Sequence, residues 1–202
     1  MLRYLCGFLM ICIMFLNMIY VFADVSSESA QSKNIESTGA VRIGGEFTLT
    51  NQYGEKFGSE NLRGHISLVY FGFCCCPKIC VKALNSIAEV TTACKKYGID
   101  VLPVFITVDP KRDSQKDLKS YLATFHQDIV GLRGSEEEIR KVAELFKVYY
   151  AKDAQTESEK NYDVNHSALI YILNKEGEYV KHFNYDDKPD LIIEFLRLNF
   201  RK

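Results

Sequence analysis

Four of the chain's seven cysteines fall in FGFCCCPKIC, residues 71–80. Cys76 and Cys80 form a C-x-x-x-C. The spacing predicts a helix starting here, with Pro77 at its first position, where no N–H is needed. Cys76 then stands near the N-cap and Cys80 one turn further on. Positions i and i+4 share a helix face, so both sulfurs point the same way. The positive end of the helix lowers thiol pKa values. Two thiolates on one face make a bidentate claw for a soft metal.

Thiol–disulfide exchange is the rival chemistry. It usually uses C-x-x-C, and the cysteines at 74, 75, 76 and 80 never make that spacing. Exchange sites on this kind of frame also place a proline before the strand facing the cysteines. The four prolines, at 77, 103, 110 and 189, leave that slot to Asn165-His166-Ser167. His166 then faces the sulfur pair, and two thiolates with one imidazole suit copper(I) by softness. The same set accepts copper(II), or zinc if a fourth ligand arrives. Blander readings stand beside these. Cys76 and Cys80 would make a structural disulfide in an oxidising compartment, and His166 would be an ordinary strand-edge histidine. Cys74 and Cys75 read as small residues closing a buried strand, with an auxiliary redox or metal role as the alternative. Cys94 reads as core, and His65, His126 and His182 as surface or structural residues. Asp109 is either a second-sphere group or a turn former.

The elements that must position these residues follow from hydrophobic period. SLVYFGF (67–73) and VLPVFITVD (101–109) are continuous apolar runs, as expected of strands covered on both faces. GEFTLTNQYGEKF reads as a short hairpin turning at Asn51 to Gly54. VKALNSIAEVTTACKKYG has helical spacing and stops at Gly98; DSQKDLKSYLATF and SEEEIRKVAELFKVYY supply two more helices. The last of these starts with a capping box, Ser135-x-x-Glu138. SALIYIL (167–173) is a third buried strand, EYVKHFN (178–184) returns beside it, and Pro189 opens a final helix. Buried strands joined by helices imply an α/β fold: a thioredoxin-like sandwich with a mainly parallel central sheet, helices on both faces and an antiparallel edge hairpin. In such folds a site forms where a strand's carboxyl end meets the next helix, and the cysteines lie there.

Composition narrows the function classes. The 202 residues carry a formal charge of −1 with no basic tract, which argues against nucleic-acid binding. Residues 5–23 are uncharged and long enough for a membrane helix. Residues 1–23 therefore read as a membrane anchor or, with Val21 and Ala23 before a cut at Asp24, as a cleaved signal. Either exports the rest. Residues 24–40 are polar and read as a flexible tether, so the folded domain spans 41–202.

Taken in order, FGFCCCPKICV, VDPKRD (108–113), GLRG (131–134) and NHS (165–167) resemble the SCO1/SenC family of copper chaperones for cytochrome c oxidase assembly. The likeness spans about residues 42–200. It implies copper, Cu(I) or Cu(II), held by Cys76, Cys80 and His166. It also implies a single membrane anchor and a domain facing the periplasm, or the mitochondrial intermembrane space in a eukaryote. The implied client is the copper-site subunit II of cytochrome c oxidase, with other copper chaperones or a thiol reductant as further partners. The expected role is a metallochaperone and not a turnover enzyme; the alternative is a thiol–disulfide oxidoreductase acting on the client's cysteines. A peroxidase of the peroxiredoxin type is only partly matched, because no hydroxyl stands three residues before Cys76. The chain departs from the family pattern at Cys74 (usually Thr), at Cys75 (an added thiol), at Val81 (usually Pro) and at Asn165 (usually acidic). The polar segment 151–164 reads as a mobile loop that lets the His166 imidazole swing on and off the metal.

Overall fold

The computed structural model describes residues 42–153 and 162–201. The expected leader (1–23) and tether (24–40) lie outside the described residues, as does most of the polar segment expected to be a loop. Among the described residues no helix is long and apolar enough to cross a membrane.

A seven-stranded sheet carries the domain. β1 (Thr48–Asn51) and β2 (Lys56–Gly58) form the expected hairpin. Asn51 Oδ1 closes its turn by accepting the amides of Tyr53 at 2.9 Å and Glu55 at 3.0 Å. β3 (Ile66–Gly72) is buried at every position, as its unbroken apolar run predicts. β4 (Val101–Thr107) lies parallel to β3, and β5 (Val130–Arg133) parallel to β4. β8 (Leu169–Leu173) and β9 (Tyr179–Asn184) complete the sheet in the order β2-β1-β5-β4-β3-β8-β9. The parallel core is therefore β3–β4–β5, with antiparallel strands on both flanks. β5 is not apparent in the hydrophobic pattern. It separates the two helices that the sequence places in succession.

The helices are α1 (Ile79–Lys96), α2 (Gln115–Ala123), α3 (Glu136–Phe146) and α4 (Pro189–Phe200). Ser135 and Glu138 make the expected reciprocal cap on α3, and Pro189 opens α4. Consecutive strand residues show that both sheet faces are covered. Tyr70 turns toward Phe105 and Cys80, whereas Phe71 packs against Phe146 of α3 and Tyr171. This is the expected sandwich, with the carboxyl ends of β3 and β4 at one edge.

A second, two-stranded sheet stands apart from the main one: β6 (Tyr150–Lys152) and β7 (Val164–His166), antiparallel. His166 closes β7. It stands three residues before β8.

Candidate metal centre

β3 ends at Gly72, and the chain turns with the Cys76 amide donating to the Phe73 carbonyl at 3.2 Å. α1 does not begin at Pro77 as the sequence suggests. Its N-cap is Lys78, non-helical at φ −133°, and no side chain caps it from that position. The reason lies in the orphan amides of a helix start. The Cys80 amide donates to Cys76 Sγ at 3.4 Å, so Cys76 must loop over the helix end instead of lying within the helix. The sulfurs meet because one caps the other's turn, not because they sit at i and i+4 of a single helix.

His166 completes the cluster. Its Nε2 lies 3.5 Å from Cys80 Sγ, and the donor atoms of Cys76, Cys80 and His166 all fall within 4.8 Å of one another. Metal–ligand bonds of about 2.0–2.3 Å in a trigonal set put donors about 3.8 Å apart, so a small closure brings the three around one ion. The ring's other nitrogen, Nδ1, lies 3.1 Å from the Ser167 carbonyl. With a metal ion bound, a proton on Nδ1 would serve that contact and leave the Nε2 lone pair for the ion. Tyr70 and Phe73 meet the imidazole edge-on at 6.1 and 5.9 Å, and fix its plane. Among the described residues this is the one cluster of three such side chains able to hold a metal ion.

The two thiols are not equivalent. Cys76 is held well below the usual thiol range by the hydrogen bond from the Cys80 thiol, helped by His166 and by the Cys80 and Lys78 amides; burial opposes this. Cys80 is pushed up, because its proton is the one donated to Cys76 and because it is fully buried. The Tyr70 hydroxyl also points at Cys80 Sγ, at 3.8 Å. The contact between the two sulfurs thus favours the charge on Cys76 and the proton on Cys80.

The site is open on one side. A cleft of about 490 Å³ runs from Cys76 and His166 past Pro77 and Lys78 to Ile79 and Tyr149. Tyr149 is 66% exposed and Ile79 is 37% exposed, an apolar rim beside the donor atoms.

The remaining candidates lie elsewhere. All five cysteines among the described residues are free thiols. Cys94 is core, as expected, and burial raises it to about 11. Cys75 is exposed, so it does not close a buried strand. Cys74 is half-buried and engages Asp113: its amide donates to Asp113 Oδ2 at 3.0 Å, and its thiol bonds the same carboxylate. Burial pushes the Cys74 thiol up, and the Asp113 carboxylate adds to the shift. A Cys74→Ser variant keeps a donor to Asp113 and is expected to match the parent in urea unfolding. Cys74→Ala removes one, leaves a buried carboxylate short of a partner and is expected to cost about 1 kcal/mol. His65 pairs with exposed Asp100 at 2.7 Å, His126 Nδ1 accepts the Asp128 amide at 3.2 Å, and His182 contacts Tyr179 at 2.6 Å. None reaches the cluster. Asp109 is buried and bonded to Arg112 and Tyr162, not to any of the three donors. Gly72, Tyr70, Phe73 and Asp113 shape the site, although their residue types give no metal signal in the sequence.

Comparison with known proteins accords with this geometry. The SCO1/SenC family model matches residues 35–199. An SCO2-like protein of Rickettsia felis is 46% identical over 159 residues, covering 79% of this chain and 78% of its own. The structure of copper-bound ScoI from Arabidopsis thaliana superposes with a TM-score of 0.74 at 37% identity, covering 79% of this chain and 98% of that one. BsSco, a member of the Sco family of cytochrome c oxidase assembly proteins with a disulfide switch, superposes at 0.63 with 26% identity, covering 78% and 92% of the two chains.

Proposed function

The chain belongs to the SCO1/SenC family, and on that premise we propose that it is a copper carrier for cytochrome c oxidase assembly. Cys76, Cys80 and His166 are its ligands. The observation that carries this reading is the meeting of two sulfurs and one imidazole nitrogen at the mouth of an open cleft. Soft sulfur selects copper, and the imidazole suits either oxidation state. The open side admits an incoming client ligand, so ligands exchange one at a time. The client is the copper-site subunit II of the oxidase, which docks on the apolar rim at Ile79 and Tyr149. Residues 5–23 tether the domain to the inner membrane, facing the periplasm or the mitochondrial intermembrane space. Upstream partners are another copper chaperone or a thiol reductant.

Metal analysis of the domain purified with copper under reducing conditions tests the reading. One copper per chain is expected, and loss of it in Cys76→Ser and in Cys80→Ser. Copper retained in both variants defeats the assignment.

The sign of the pH dependence follows from the shared proton. Cys76 is held low and Cys80 is pushed up, so the proton that binding displaces is that of Cys80. Affinity is expected to weaken about tenfold for each unit of pH lost, from roughly pH 8 to 7, because one proton competes with one metal ion, and more steeply below about pH 6.5, where an imidazole ligand must also lose a proton. Chelator competition at several pH values measures the slope.

A second reading is favoured by the same polarised pair. A thiolate beside a proton-bearing thiol is the resting state of a dithiol reductant. A thiol–disulfide oxidoreductase acting on the client's cysteines would use Cys76 as nucleophile and would not need His166. Dithiol exchange rates in a His166→Ala variant separate the two.

A further inference from the structure

The turn after β4 touches both halves of the centre. We infer that residues 109–113 form a positioning brace: Asp113 holds the turn that bears Cys76, and Arg112, stacked on Tyr162, holds the strand that bears His166. The inference rests on the three-ligand reading above.

The brace is itself rigid. The Asp113 amide donates to the Asp109 carbonyl at 3.0 Å, which closes the turn. Arg133 of β5 ties it to the sheet, donating from Nε to the Asp113 carbonyl at 3.1 Å and from Nη2 to the Pro110 carbonyl at 3.0 Å. One arm reaches the cysteines. The Asp113 carboxylate is 1% exposed; it accepts the Thr107 hydroxyl at 2.6 Å and the Cys74 amide at 3.0 Å, two residues before Cys76.

The other arm reaches the histidine. Asp109 pairs with Arg112 Nε and accepts the Tyr162 hydroxyl at 2.7 Å. Arg112 Nη1 donates to the Tyr162 carbonyl at 2.8 Å, and its guanidinium lies 3.8 Å over the Tyr162 ring. The same guanidinium lies 5.4 Å from the ring of Phe73, whose edge meets His166. Arg112 Nη2 is buried with no hydrogen-bond partner among the described residues. The group is held by its stacking faces and its other nitrogens. Tyr162 stands four residues before His166, and β7 belongs to no sheet but its own hairpin. The main sheet holds the chain only from Ala168 onward, where the Tyr185 amide donates to the Ala168 carbonyl at 2.9 Å; the grip on Tyr162 fixes the other side of His166, and with it the distance from imidazole to sulfur. Arg112 and Tyr162 touch none of the three donors and act through His166.

Two variants test this. Arg112→Lys keeps a cation beside Asp109 but loses the planar stack and the paired donors. Tyr162→Phe keeps the ring under Arg112 and drops only the bond to Asp109. Each is made alone and in a His166→Ala background. Copper affinity is read by chelator competition, and contacts of the His166 ring with Phe73 and Tyr70 are read by NMR in the metal-free protein. In the parent background a loss of about tenfold in copper(II) affinity is expected, the low end of the range for residues that orient a ligand and below the loss from removing the imidazole itself. In the His166→Ala background no further loss is expected, because positioning has nothing left to act on. The ring contacts are expected to weaken in both single variants. Equal losses in the two backgrounds, or unchanged ring contacts, overturn the inference. If His166→Ala alone leaves affinity untouched, the three-ligand reading fails instead, and the ring contacts still decide whether the brace positions the imidazole.

Discussion

A His166→Ala variant is expected to bind copper(II) about 100-fold more weakly than the parent and copper(I) with a smaller loss. Zinc-finger sites, with four ligands, bind with about 10–16 kcal/mol, so one ligand contributes about 3 kcal/mol, roughly two decades. The two oxidation states diverge for a geometric reason. Copper(I) is satisfied by soft thiolates, and Cys76 and Cys80 remain in place. Copper(II) favours tetragonal sites with nitrogen ligands, and the imidazole is the only nitrogen donor in the cluster. The substitution should leave the fold intact, because His166 is only partly buried and the contact of its ring with the Ser167 carbonyl lies at a strand end. Chelator competition in both oxidation states checks it. Equal affinity for copper(II) in variant and parent removes His166 from the ligand set and leaves the dithiol chemistry standing alone.

How much of this centre can be read from the sequence depends on whether each partner lies close along the chain. The buried run of β3, the capping box of α3 and the proline opening α4 are local signals, and each is where the pattern places it. The meeting of Cys76, Cys80 and His166 is also legible, since cysteine and histidine have few other uses in such an arrangement. β5 is not legible, because four residues containing Gly131 carry too short a period, and its identity comes from pairing with β4 and β1. The start of α1 is misread for a related reason: Pro77 is a good first-turn residue, but the sulfur cap on the Cys80 amide outweighs that preference. The contact between Arg112 and Tyr162 spans fifty positions. No local pattern announces it, and both residue types have many ordinary roles. The role of Cys74 becomes clear only once Asp113 is seen beneath it.

Gly72→Ala is expected to damage stability and copper binding together. Gly72 ends β3 opposite Thr107, and an added Cβ would lie 2.8 Å from Cys80 Sγ, 3.0 Å from Phe105 and 3.0 Å from Tyr70. Cys80, Phe105 and Tyr70 are fully buried, so none can swing into solvent. Overpacking of this kind costs about 1–3 kcal/mol, or roughly 2–12 °C in melting temperature for a domain of this size. The sulfur must also shift by several tenths of an ångström, which disturbs its 3.5 Å approach to His166 Nε2, and affinity should fall with it. Gly131→Ala separates the two effects. Its Cβ would meet Leu122 at 2.4 Å, in a part of the core that includes none of the donors. Both variants should melt earlier, but only Gly72→Ala should bind copper more weakly when folded. The absence of a side chain at position 72 is then a requirement of the metal centre itself, since it is what lets the second sulfur sit against the end of the strand. A folded Gly72→Ala protein with parental affinity breaks that link, and the glycine reduces to a packing requirement of the core.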